Sequence, residues 1–214
     1  MKTNVFITEK QKVNGTDMLR LLTIYLICFF SPVYAGEWHV DQRYENNIVQ
    51  FTSEIIGFSF QGKTNEIDGF IYDADNNILK AGADFLFEVN LTDLNSGIGK
   101  RDRDMREILN THRWPKATFT GRLNKVHQDS LVQDLYVTNS KGILSLRGIE
   151  KIITVRTRIK QLQKNTLQID AHFSIKLSDY NIEAPKLASF IKVSEDIKIL
   201  VGFVMKLAKS IPGS

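Results

Sequence analysis

The chain has 214 residues, 43% of them hydrophobic and 24% charged. That balance excludes a disordered polymer and suits one globular domain or two small ones. A chain of this size buries about 70% of its unfolded surface, with no need of disulfides or metal. Lys and Arg outnumber Asp and Glu by 28 to 24, a formal net charge of +4.

Residues 1–17 are polar and patternless. From Met18 the chain reads MLRLLTIYLICFFSPVYAGEW. Arg20 is a short positive start, Leu21 to Phe30 is an apolar-leaning run, and Val33-Tyr34-Ala35 resembles a small-residue cleavage site. This is the three-part form of a secretory signal peptide. The apolar run is about half the ~20 residues a membrane span needs. The predicted organisation is a polar extension over 1–17, with the start at Met1 or Met18, a signal-peptide helix over 18–35, and one folded domain over 36–214. A periplasmic or secreted protein with no stable span after cleavage is expected. Cleavage after Ala35 would remove four basic and two acidic residues, taking 28 and 24 to 24 and 22 and the net charge from +4 to +2. A nearly neutral domain is a poor nucleic-acid binder, so no nucleic-acid partner is expected. The single cysteine, Cys28, lies within the apolar run behind Ile27, which argues against lipid anchoring. Thiol catalysis and cysteine metal sites are thereby excluded from the domain.

After Gly36 the dominant signal has period two. Short candidates come first: Ile48 to Ser53, Gly57 to Gln61 and Gly69 to Tyr72, with a turn signal at Asp73 to Asn77. ADFLFEVNL then sets Phe85, Phe87, Val89 and Leu91 on one face. A turn signal at Asn95 to Gly99 leads into the charged run KRDRDMRE, where Met105, Ile108 and Leu109 fall at i, i+3, i+4. That spacing predicts a short amphipathic helix, ended by Asn110 and Pro115. Its charges interleave in sign, unlike a nucleic-acid patch, and GIGKR lacks the spacing of a phosphate loop. Further strands are expected at Ala117 to Leu123, Gln133 to Thr138, Ile143 to Arg147 and Ile152 to Leu162, with a turn at Asn139 to Gly142. TLQIDAHFSIKLS puts Leu167, Ile169, Ala171, Phe173, Ile175 and Leu177 on one face, and DIKILVGFVMKL repeats the pattern to Leu207. Many alternating strands with few helices predict an all-β sandwich or a closed antiparallel barrel, and the strands of ten residues or more favour closure. The apolar stripes are rich in Phe, 13 in the chain. Alternation alone does not separate a filled core from a hollow one that takes an apolar ligand.

At this point the residues resemble the YceI-like family. The ordered set is Asp93-Leu94-Asn95-Ser96-Gly97, Arg101-Asp102, Met105-Arg106 and Pro115-Lys116-Ala117-Thr118-Phe119, with an opening strand at Trp38 to Glu54, a hairpin at Gly142 to Val155 and closing strands at Phe173 to Pro185 and Val193 to Ala208. Two positions depart from the family pattern: Arg147 stands where His usually precedes the hairpin glycine, and LNTHRW replaces a Phe-rich link. The resemblance implies a lipocalin-like antiparallel eight-stranded β-barrel with a short helix between strands. It implies a periplasmic protein that holds a polyisoprenoid or quinone-type lipid, without a covalent cofactor. The expected lining is Phe51, Phe58, Phe85, Phe87, Phe119, Phe173 and Ile175, and Arg101 and Asp102 are expected at the barrel mouth, either as a structural ion pair or facing a ligand head group. A homodimer is compatible with this reading.

Catalysis finds little support in the sequence. His39, His112, His127 and His172 form no metal spacing, and GFSFQG is not a nucleophile elbow. No catalytic or metal residue is assigned. Two alternatives stand beside the lipid carrier: an exported envelope enzyme using carboxylates at the barrel mouth, and an interaction module with Tyr180 to Lys192 as its partner loop.

Overall fold

The computed structural model describes residues 36–55, 57–73, 78–79, 81–188 and 191–208. The expected polar extension and signal peptide lie outside the described residues. The strands, in chain order, are β1 (Gly36–Val40), β2 (Ile48–Ile55), β3 (Phe58–Thr64), β4 (Ile67–Asp73), β5 (Asp84–Asn90), β6 (Lys116–Arg122), β7 (His127–Gln128), β8 (Leu135–Leu146), β9 (Ile149–Gln163), β10 (Thr166–Lys176), β11 (Lys186–Ala188), β12 (Ile191–Lys192) and β13 (Asp196–Leu207). The helix α1 spans Gly99–Leu109 between β5 and β6, and a 3-10 turn covers Leu177–Tyr180. Among the described residues no helix is long and apolar enough to cross a membrane.

Pairing runs β1–β4–β5–β6–β8–β9–β10–β13 and returns from β13 to β1. Every pair is antiparallel. The result is the expected closed eight-stranded barrel with one short helix. Strands β1 and β2 lie one after the other along β13: Trp38↔Leu207 to Val40↔Met205 belong to β1, and Ile48↔Gly202 to Thr52↔Lys198 belong to β2. The β2–β3 hairpin continues the wall, and Lys63 and Asn95 exchange backbone hydrogen bonds at 2.9 Å, joining the segment after β5 to the edge of β3. Closure leaves almost no open backbone edge, which is why long alternating strands tolerate it.

The period-two reading of β10 and β13 holds for the inward face, while Val204 is buried on the opposite phase and Leu177 falls in the 3-10 turn. Leu167, Ile169, Phe203 and Met205 are buried in one cluster with Trp38, Ile71 and Phe85 at one end of the barrel. Leu91, Leu94, Leu144, Leu146, Tyr180 and Ile182 form a second cluster at the other end, where Met105, Ile108 and Leu109 of α1 pack. Those three residues are the apolar face that the spacing predicts. The helix ends at Asn110, whose φ of 52° is the left-handed conformation suited to a C-terminal cap.

One expected turn is absent. Asn139 to Gly142 lies in the middle of β8, paired to Arg156 through Ile153 of β9. The glycine read there as a turn residue has a packing function instead: a β-carbon on Gly142 would stand 2.8 Å from Phe119 Cε2 and 2.4 Å from the Thr120 carbonyl oxygen. The real β8–β9 turn is Arg147-Gly148, with φ of 53° and 73°, a two-residue hairpin turn of the primed type.

Candidate functional site

Inside the barrel lies a cavity of about 180 Å³. It is bounded by side chains from both core clusters, among them Val49, Phe87, Leu94, Leu144, Ile169 and Phe203. Its lining is apolar apart from a few hydroxyls, and among the described residues no carboxylate, Lys, Arg or His lines it. The volume compares with the ~150 Å³ engineered cavity that stays dry and takes benzene, and is below the roughly 300–1,000 Å³ of pockets for drug-sized ligands. As it stands, the bore admits a short stretch of hydrocarbon.

The bore stays open because of how the aromatic rings are stored. Phe51 faces Gly62 across β2–β3, Phe87 faces Gly69 across β4–β5, and Phe85 faces Gly121 across β5–β6. In each pair a β-carbon on the glycine would meet the ring, at 2.3 Å from Phe51 Cε1, 2.6 Å from Phe87 Cδ1 and 2.9 Å from Phe85 Cζ, and at Gly69 and Gly121 it would also meet the Leu86 and Lys141 carbonyl oxygens, at 2.2 and 2.4 Å. The Phe119 ring, whose own facing partner is Leu144, reaches diagonally over Gly142. Rings resting on glycines coat the wall and do not plug the centre, a cross-strand arrangement known as aromatic rescue. Phe85, Phe87, Phe119 and Phe203 also touch one another, with centroids 5.0 to 5.7 Å apart.

Six of the seven expected lining residues, Phe51, Phe85, Phe87, Phe119, Phe173 and Ile175, face the cavity. Phe58 does not. It is 57% exposed, paired with Ile55 at the tip of the β2–β3 hairpin. Its position in the alternation is that of Gly62 and Thr64, but it lies beyond the rim, where no opposite wall covers it.

Arg101 and Asp102 do not reach the cavity. The Ser96 N–H donates to Asp102 Oδ1 at 2.8 Å, and its hydroxyl bonds the same oxygen. Arg101 Nε donates to Ser96 Oγ and Nη2 to the Ser96 carbonyl, both at 2.8 Å, while the guanidinium lies 4.7 Å from the Phe60 ring centroid. Both side chains meet at Ser96, so they pin the Asn95–Gly97 turn to the start of α1. The Ser96 hydrogen bonds, with Arg106 and Arg101 nearby, hold the Asp102 carboxyl below its ordinary range. Arg147 does similar work on the hairpin, where Nη1 donates to the Asn181 carbonyl at 2.5 Å and the Trp114 ring covers Gly148.

No carboxylates converge on the cavity, and among the described residues no cluster of His, Cys, Asp or Glu could hold a metal. In the proposed partner loop, Tyr180, Ile182 and Ala184 are buried. In a polar groove outside the barrel, between β2–β3 and the Asp93–Gly97 turn, two side-chain amides are engaged in structure: Asn47 bonds the Asp41 carbonyl and the Val204 N–H, and Asn95 accepts from the Gly97 N–H.

Missed by sequence reasoning are Ser140 and Thr157, whose hydroxyls lie 3.1 Å apart among the lining residues. The signal was available: each falls on the inward phase of its strand, Ser140 in step with Leu144 and Leu146, and Thr157 between Val155 and Ile159.

Comparison with known proteins places these features in context. The sequence model of the YceI-like domain family matches residues 38–205. Protein YceI of Escherichia coli O17:K52:H18 is 28% identical over 176 residues, covering 78% of this chain and 87% of that protein. Protein YceI of Escherichia coli O157:H7 is 27% identical over the same coverage. Among solved structures, a polyisoprenoid binding domain from Saccharophagus degradans implicated in plant cell wall breakdown superposes with a TM-score of 0.63 at 18% identity, over 80% of this chain and 98% of that one. Burkholderia cenocepacia BcnA gives 0.62 at 17% identity, over 77% and 98%.

Proposed function

The chain belongs to the YceI-like domain family, and on that footing we propose that it is an exported binding protein that holds a polyisoprenoid or quinone-type lipid inside its barrel for sequestration or transport. The observation that carries this reading is the apolar cavity enclosed by a closed wall. A polyisoprenoid chain is branched hydrocarbon, and removing its surface from water contributes roughly 25 cal/mol per Å² before ordering costs. No catalytic group is needed for that role. The polyisoprenoid-binding neighbour from Saccharophagus degradans supports the ligand class. The signal-peptide form of residues 18–35 supports export.

The cavity of about 180 Å³ receives only part of a long chain. The test is native mass spectrometry and organic extraction of the purified protein from cells rich in prenyl lipids. A bound apolar lipid of defined mass is expected. Recovery of a clean, ligand-free protein that also fails to take up added prenyl lipid would refute the reading.

A further inference from the structure

Ser140 and Thr157 form a hydroxyl pair in the middle of a largely apolar bore. Ser140 is 3% exposed and Thr157 7% exposed. Ser140 is six residues along β8 from Leu146, about 20 Å by strand rise, so it lies well inside the barrel. One hydroxyl donates to the other at 3.1 Å. Among the described residues the remaining hydroxyl proton has no acceptor, and both oxygens keep spare lone pairs. Thr157 faces the small side chain of Ala171 on β10, while on β8 it faces Thr138, whose own hydroxyl is committed to the Asn124 carbonyl. Buried polar groups are normally satisfied, so an uncapped hydroxyl facing a cavity is a place for a ligand atom.

On the reading of the barrel as a lipid carrier, we propose that Ser140 and Thr157 form an internal recognition site for a neutral oxygen of the bound lipid, a carbonyl or hydroxyl, so that the barrel selects oxygenated chains over pure hydrocarbon. The oxygen is neutral because no cation lines the cavity, and an ionised head group there would be desolvated without a partner. A ketone, prenol or quinone ring fits this requirement, and a phosphate inside the bore does not.

The test uses ligand-stripped full chain and two probes of equal carbon count, 8-pentadecanone and pentadecane. The double variant Ser140→Ala/Thr157→Val keeps the shape and removes both hydroxyls, and Thr157→Val alone guards against a folding defect. Affinity for the ketone should fall about three- to tenfold in the double variant, the range of one net hydrogen bond, while affinity for pentadecane stays level or rises. The carbonyl stretch of the bound ketone should lie below its position in hydrocarbon solvent in the parent protein and return to it in the variant. An equal change for both probes, or an unshifted carbonyl band in the parent, overturns the site. Pentadecane binding separates this outcome from failure of the carrier reading: if neither probe enters the parent protein, the carrier reading falls and the site falls with it.

Discussion

Replacing Gly62 with alanine tests the storage of rings against the wall. The new β-carbon would stand 2.3 Å from Phe51 Cε1, 2.7 Å from Cζ and 3.3 Å from Cδ1. All three atoms belong to the ring, so the ring yields and the strand does not. To reach even a tight ordinary contact of 3.4 Å it retreats by at least 1.1 Å, the difference between 3.4 and 2.3 Å. The vacant volume beside it is the cavity of about 180 Å³. Overpacking a filled core costs about 1–3 kcal/mol; with space to receive the ring, a value near the lower end is expected, a fall in Tm of roughly 2–4 °C for a chain of this size. The ligand loses more. Each methylene displaced from the bore costs about 0.8 kcal/mol, roughly a fourfold loss of affinity. The assay is titration with diphenylhexatriene, an uncharged fluorophore that brightens in apolar cavities, alongside calorimetric unfolding. Gly99→Ala is the control, since its β-carbon would meet nothing closer than Arg103 Nη1 at 3.9 Å. A Gly62→Ala protein that binds the probe as tightly as the parent would refute the reasoning.

Four further outcomes follow from the same geometry. Gly142→Ala should destabilise far more than Gly62→Ala, by about 3 kcal/mol or more, because its β-carbon meets the Thr120 carbonyl oxygen at 2.4 Å and backbone cannot swing aside; a thermal melt compares the two. Phe87→Asp, which sets an unpaired carboxylate among Phe85 and Phe203, should abolish ligand retention while circular dichroism still reports strand, and unchanged retention would place the ligand elsewhere. Asp102 has a folded pKa below its unfolded value, so its contribution is present above the unfolded pKa of about 3.9 and is lost as pH falls through the folded value; Asp102→Asn should flatten the acid limb of a stability–pH curve. Tyr180 is the reverse case at high pH. It is 1% exposed, its hydroxyl has no partner among the described residues, and burial raises its pKa to about 12, so stability should fall as pH rises from about 10 towards 12; Tyr180→Phe should remove that fall with no loss of stability at neutral pH.

The inward faces of the strands were legible in the sequence because alternation needs no knowledge of neighbours, whereas the eight-stranded closure was implied by the YceI-like resemblance. Leu167 to Ile175 and Ile197 to Met205 announce their inward faces within their own strands. The helix was equally legible from Met105, Ile108 and Leu109. What local reading lost was everything that depends on register. Gly142 resembles a turn residue until β6 is set beside β8 and the Phe119 ring is seen over it. Phe58 shares the phase of the lining, and only the tip of the β2–β3 hairpin places it outside. The hollow itself was illegible, since a filled and an unfilled barrel have the same alternation. The difference lies in which ring faces which glycine. Arg101 and Asp102 looked like partners of each other or of a head group, whereas four contacts to Ser96 explain them.

A ring laid over a glycine makes two positions into one unit of wall thickness. Exchanging such a pair for two medium-sized aliphatic residues would conserve total side-chain volume yet move bulk towards the axis and narrow the passage. Calibre in this architecture is therefore adjustable pair by pair with the strands left in place, and relatives that house cargo of different girth should differ first at these facing couples.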